Sequence, residues 1–250
     1  MRNRLLKSFA LVALLSTVFA SYADNNDNGD VVDLGLPSGV KWATCNLGAA
    51  NPWEYGNYYA WGETETKNDY SWETYKYCNI TDTTITKYCN NAEYGNGGFT
   101  DTLTTLESAD DAATAVLGSD YSLPTIADWE ELNKECYWVW TGTYNNRKVN
   151  GYVVYKAKSA DDKGTIVYAD GTPSSLYSIS DIHIFLPAAG GCGRRGDHVL
   201  AGTSGFYWSP SLDWYSPDHA SNCVFHGGNV HPLYSDGRYV GLSVRPVRHK

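Results

Sequence analysis

The chain has 250 residues, 42% of them hydrophobic and 19% charged, with 28 acidic against 19 basic side chains. That make-up suits a soluble protein large enough for a sizeable core. A formal charge of −9 argues against nucleic acid as the main partner, because phosphate neutralisation needs a basic face.

Residues 1–23 read as a secretory signal: Arg2, Arg4 and Lys7 form a positive start, and Ser8 to Ala20 is an apolar run too short to span a bilayer. Small residues at Ser21 and Ala23 place cleavage before Asp24, and no other stretch reaches transmembrane length. The expectation is an exported chain without membrane insertion after cleavage. Residues 24–30 are a polar tail; they begin like a calcium loop, but Gly35 stands where the bidentate Glu belongs. Residues 31–250 read as a single domain. Six cysteines in an exported chain make disulfides an expectation, with Cys78 and Cys89 the easiest pair to join.

A weaker helix is predicted over 108–117, stopped by Gly118. The strong one runs over 125–136, with Pro124 before it, Asp128 completing a capping-box variant, and Ile126, Trp129, Leu132 and Cys136 on one stripe. Strands are predicted at 138–140, 151–157, 165–168, 183–186, 205–209, 222–225 and 241–246, separated by Gly and Asn/Asp turns. One or two helices with many short antiparallel strands make an α+β, loop-rich pattern.

Catalytic signals are thin. Gly202 to Gly205 lacks the spacing of a nucleophile elbow, the Gly190 to Gly193 turn lacks that of a phosphate loop, and Glu130/Glu131 suit the solvated face of a helix. His219, Cys223, His226 and His231 fall within thirteen residues and would suit zinc or copper. Surface histidines explain them as well, and the expectation is no metal and no cofactor. The late segment also carries Trp214, Tyr215, Phe225, Tyr234 and Tyr239 as aromatic anchors, with Asp218, Asn222, Asn229, Asp236 and Arg238 to orient a ligand by hydrogen bonds. Trp208 and Trp214 have an alternative place in the core.

An ordered set of segments resembles one family. Val32 to Gly39, Lys41 to Gly48, Tyr59-Ala-Trp-Gly-Glu63, Asp110 to Ala113, Leu123-Pro-Thr125 with Trp129 to Leu132, Phe185 to Gly190, Tyr207-Trp-Ser209 and Ser243 to Val247 look like the Fibrobacter succinogenes major paralogous domain family of exported Bacteroidetes proteins. The resemblance implies a C-type-lectin-like fold of the formylglycine-generating-enzyme kind, with Leu34, Trp42, Trp61, Trp129, Leu186, Trp208 and Val244 in its framework. The calcium triplets of sugar-binding lectins are absent, and Cys192 and Cys223 do not reproduce a copper-site pair, so neither activity carries over.

The tail is similar to the variable proteins of diversity-generating retroelements, whose randomised adenines never yield Lys, Glu, Gln, Met or Trp. His219, Ser221, Cys223, Phe225, His226, Gly228, His231, Leu233, Tyr234, Ser235, Asp236, Tyr239, Val240 and Leu242 all fall in the permitted set. The functional expectation is therefore a non-enzymatic module that binds a protein or glycan on another cell or surface. Its face spans about 210–242 and comprises Trp214, Tyr215, Asp218, His219, Ser221, Phe225, His226, His231, Leu233, Tyr234, Asp236, Arg238 and Tyr239. A metal-dependent or sulfatase-maturation-like enzyme and a structural cell-surface protein are the alternatives.

Overall fold

The computed structural model describes residues 31–168 and 176–249; the expected signal and polar tail lie outside them. In chain order the strands are β1 (Val31–Val32), β2 (Lys41–Ala43), β3 (Tyr58–Tyr59), β4 (Cys136–Tyr144), β5 (Arg147–Lys156), β6 (Ile166–Tyr168) and β7 (His183–Pro187). There follow β8 (Gly191–Cys192), β9 (His198–Val199), β10 (Ser204–Leu212), β11 (His219–His226), β12 (Asn229–Gly237), β13 (Leu242–Ser243) and β14 (Val247–Arg248). The helices are α1 (Ala112–Leu117) and α2 (Ile126–Glu135). The class is α+β, and among the described residues no helix is long and apolar enough to cross a membrane.

Helix α2 starts as its sequence dictates. Thr125 Oγ1 accepts the Asp128 amide at 3.1 Å, and Asp128 Oδ2 accepts the Thr125 amide at 2.8 Å, so two otherwise unpaired donors are satisfied reciprocally. Trp129 and Leu132 are buried beneath it, and Cys136 both closes the helix, donating its amide to the Leu132 carbonyl, and opens β4. The weaker helix begins later than expected: Ser108–Asp110 is a single 3-10 turn, and Asp111 caps α1 by accepting the amides of Ala113 and Thr114 at 2.8 and 3.0 Å.

Two sheets dominate, ordered β12-β11-β10-β13-β3 and β6-β4-β5-β7. Pairing is antiparallel except between β10 and β13 and between β4 and β6. In the first sheet, period-two alternation separates two cores. Tyr207, Cys223 and Phe225 join the cluster containing Trp129, Leu132 and Trp42, whereas Trp208, Leu212, Ala220 and Leu242 join that containing Trp61, Tyr88 and Leu123. All seven expected framework residues are at least 97% buried.

The two ends of the domain meet in a third sheet, β1-β2-β14, through Trp42 opposite Val247. Arg245 locks that junction from inside: its Nε donates to Asn46 Oδ1 at 2.9 Å, and its terminal nitrogens donate to the carbonyls of Ala43 and Phe185 at 2.9 and 2.6 Å. The strand expected over 241–246 is confined to Leu242–Ser243, beyond which the Val244 and Pro246 carbonyls accept the amides of Leu47 and Ala43 at 2.9 Å each.

Two further expectations change. The segment 229–237, expected as loop, is the edge strand β12, joined to β11 by Gly227-Gly228. Gly228 has φ +92°, a conformation that glycine adopts without a steric cost. The expected disulfides are not formed: all six cysteines are free thiols, and burial pushes the Cys136 thiol up to about 12 and raises that of Cys223.

Candidate functional site

A cleft of about 680 Å³ opens beside the β10–β13 part of the large sheet, within the size range of ligand sites. Its floor is Phe206 of β10, Leu242 of β13 and the Tyr239-Val240 segment between β12 and β13; Tyr70 and Trp72 form one wall. Ile80 to Asp82 form one lip and Val199-Leu200, at the end of β9, the other.

The walls are short pieces, the 3-10 turns Trp72–Thr74 and Arg194–Gly196 and the two-residue β9, so side chains and single backbone bonds hold them. Tyr70 donates its hydroxyl to the Tyr58 carbonyl at 2.5 Å and its amide to the Gly193 carbonyl at 3.2 Å. The Arg195 amide donates to Asp69 Oδ1 at 3.1 Å, and Arg194 pairs with Glu73 across the mouth. Trp72 leans on Tyr239 with ring centroids 5.0 Å apart. Gly190 sets the far lip: its φ is +66°, and a Cβ there would stand 2.2 Å from the Val199 carbonyl oxygen and 2.5 Å from the Ala201 nitrogen, so any side chain would push the lip away.

Asp236 supplies the acid of the interior. Asn222 Nδ2 donates to its Oδ2 at 3.0 Å. Burial raises the carboxyl above its ordinary range, against the opposing effects of the Asn222 bond and the neighbouring His219. His219 Nδ1 lies 3.1 Å from Asp218 Oδ2, and that contact, resisted by burial and helped by the charges of Asp213 and Asp236, raises the imidazole.

The thirteen expected ligand-facing residues separate into groups. Asp236 and Tyr239 line the cleft. Trp214 and Tyr215 project from the β10–β11 turn, 74% and 76% exposed. They are held there because Asp213 Oδ1 accepts the Tyr215 and Ser216 amides at 2.9 and 3.0 Å, so Trp214 is not a core residue. Asp218 and His219 lie half-buried beside that turn, Leu233 and Tyr234 are exposed on β12, and His226 and His231 are exposed at the opposite end of the hairpin.

Ser221, Phe225 and Arg238 are corrections: all three are buried and do not belong to a ligand face. Alternation turns Ser221 and Phe225 inward with Cys223, and Phe225 stacks on Tyr207 at 5.6 Å between centroids. Arg238 is drawn in by backbone carbonyls and aromatic rings. The candidate metal quartet is dispersed for the same reason, since residues three apart on a strand face opposite ways. Cys223 is fully buried while His226 is exposed, and among the described residues no group of three or more His, Cys, Asp or Glu side chains gathers as a metal site.

Sequence reasoning missed Tyr70, Trp72, Ile80, Val199, Leu200 and Phe206. They come from two distant stretches, 70–80 and 199–206, with no shared periodicity, and the one local signal was the apolar character of Val199-Leu200 among charged and glycine residues. Comparisons with family models, with curated proteins and with solved structures find no match to this chain.

Proposed function

We propose that the chain is an exported, non-enzymatic binding module of the C-type-lectin-like kind, a member of the family its motifs resemble. It presents the cleft and the adjoining surface of about residues 210–242 to a protein or glycan ligand on another cell or surface. Asp236, Tyr239, Val240 and Leu242, four of the residues compatible with retroelement variation, line the cleft, so the diversification reading and the cleft concern the same surface.

The observation that carries this reading is the backbone of the two lips. Ile80 and Leu200 have φ of +84° and +59°, a region that costs a side-chain-bearing residue about 1–2 kcal/mol and in which a β-branched residue is an outlier. Burial does not offset that cost, because the two side chains are 59% and 52% exposed. Folding therefore favours Gly or Asn at both positions, and contact with a ligand accounts for bulky apolar residues there.

The test is the double variant Ile80→Asn/Leu200→Asn, compared with the wild type by thermal melting and by capture on protein and glycan arrays. Asn tolerates the left-handed region, so the variant should melt at the same temperature or higher while losing ligands that the wild type captures. Unchanged capture would refute the cleft as the binding site; a clearly lower melting temperature would refute the argument from strain.

A further inference from the structure

Resting on that reading of the cleft as a binding site, we infer that its ligand is an extended segment of a partner protein, with apolar side chains on the lips and a lysine or arginine directed at Asp236. Three features of the cleft support a peptide of this composition.

The first is charge. The charged residues lining the cleft are Glu73, Asp82, Asp236 and Arg194. Glu73 and Arg194 pair with each other, which leaves two carboxylates without a countercharge in the lining. A cationic group is the complement of that remainder, and an anionic ligand would meet repulsion.

The second is the state of Asp236. Its Oδ2 accepts from Asn222, while its Oδ1 has no donor among the described residues. A carboxylate half-buried in a mainly apolar lining gains most from a charge-assisted hydrogen bond brought by the ligand. Trp72 and Tyr239, packed on each other with ring centroids 5.0 Å apart and both lining the cleft, offer a joint aromatic surface to the stem of the same basic side chain.

The third is shape. Apolar side chains stand exposed on both lips, Ile80 on one and Val199 and Leu200 on the other. A cleft with a wettable floor acid and two greasy lips matches a chain that crosses it, whose alternating side chains reach the lips and the floor in turn. A compact sugar would leave those lips in water.

The experiment uses the mature protein and three capped fluorescent peptides: Leu-Lys-Leu-Phe, the same sequence with norleucine for Lys, and the same with Glu for Lys. Binding is followed by fluorescence anisotropy, with a glycan array run in parallel. The lysine peptide should bind at least about tenfold more tightly than the norleucine peptide, the loss expected when a charge-assisted bond is removed, and the glutamate peptide should bind most weakly. Asp236→Asn should abolish the preference for lysine while keeping the norleucine affinity; Asp82→Asn, at the exposed lip, should reduce the preference in part and covers the case in which the first variant does not fold.

Equal binding of all three peptides would overturn the cation assignment while leaving the cleft as a site. Glycan capture that is lost in the Ile80→Asn/Leu200→Asn variant, without peptide binding, would overturn the peptide assignment and again leave the cleft. Peptide binding that is unaffected by that variant would overturn both.

Discussion

Arg238 offers the sharpest test of how the hairpin and the cleft wall depend on each other. Its guanidinium is fully buried and has no carboxylate among its hydrogen-bond partners. Nε donates to the Tyr75 hydroxyl at 2.9 Å, Nη1 to the carbonyls of Tyr88 and Pro217 at 3.0 and 2.8 Å, and Nη2 to the Lys87 carbonyl at 3.0 Å. The rings of Trp61, Tyr75 and Tyr88 lie 4.8, 5.2 and 5.9 Å from its central carbon, so π faces replace part of the lost hydration. Arg238→Met keeps an unbranched apolar stem, shorter by two atoms, and removes every donor, leaving three carbonyls and one hydroxyl without the partner they have now. Each buried orphan costs about 1–3 kcal/mol. Because Lys87 is only half-buried and water can reach part of the site, the sum should settle at about 3–5 kcal/mol. For a domain of this size that is a fall in melting temperature of roughly 10 °C. Arg238→Lys should recover less than half of it, since one ammonium cannot span acceptors that a planar fork reaches together. Urea unfolding of the three proteins measures this directly. A methionine variant within about 1 kcal/mol of the wild type would show that the carbonyls have other donors and that Arg238 is free to serve a ligand.

Two further outcomes concern pH. Burial raises the Asp110 carboxyl, but hydrogen bonds from Lys87, Tyr77 and Tyr88 outweigh it and bring the pKa from 3.8 to about 2. The stability so gained is present above the ordinary value and is lost as pH falls toward 2; Asp110→Asn should therefore be less stable at neutral pH and show a flatter acid limb in urea midpoints. His219 moves the other way: its contact with Asp218 raises it from 6.5, so its contribution is full below 6.5 and disappears as pH rises through the higher folded value. An imidazole NMR titration should show a lower pKa in Asp218→Asn, and an unchanged titration would refute the pairing.

What was legible in the sequence is what a local pattern specifies. Thr125 and Asp128 announce α2 because a capping box is complete within four residues. The runs that became β4, β5, β7, β10 and β11 are short, apolar and bounded by turns, and they were found with ragged ends. β12 was missed because Pro232 and a polar composition disguise it; Pro232 sits where the register with β11 is interrupted between Val224 opposite His231 and Asn222 opposite Tyr234, at the edge of a sheet where proline is tolerated. The Gly227-Gly228 pair was the hairpin signal that could have revealed it. Arg238 looked like a surface residue because most arginines are, and nothing local foretells that carbonyls from residues 87, 88 and 217 converge on it. The cleft was illegible for the same reason, since its lining is assembled across more than 150 residues by contacts without a period.

That distinction bears on how variation in this tail can be tolerated. Of the fourteen late positions compatible with retroelement coding, Ser221, Cys223, Phe225 and Leu242 are buried. Phe225 packs against Tyr152, Tyr207 and Trp140, and truncating such a residue costs about 3–5 kcal/mol. Free substitution there would unfold a large share of variants before any ligand was met. The exposed Leu233 and Tyr234, with His226 and His231, stand outside both cores and carry no comparable cost. Asp236 and Tyr239 fall between these classes: each touches the cleft, yet each also contacts a residue outside that set of fourteen, Asn222 and Trp72 respectively. If the tail is diversified as proposed, the packing restricts that variation to a broad range along the exposed strand, a narrow one at the cleft, and none at the inward-facing residues of β11, a gradient imposed before selection for binding acts.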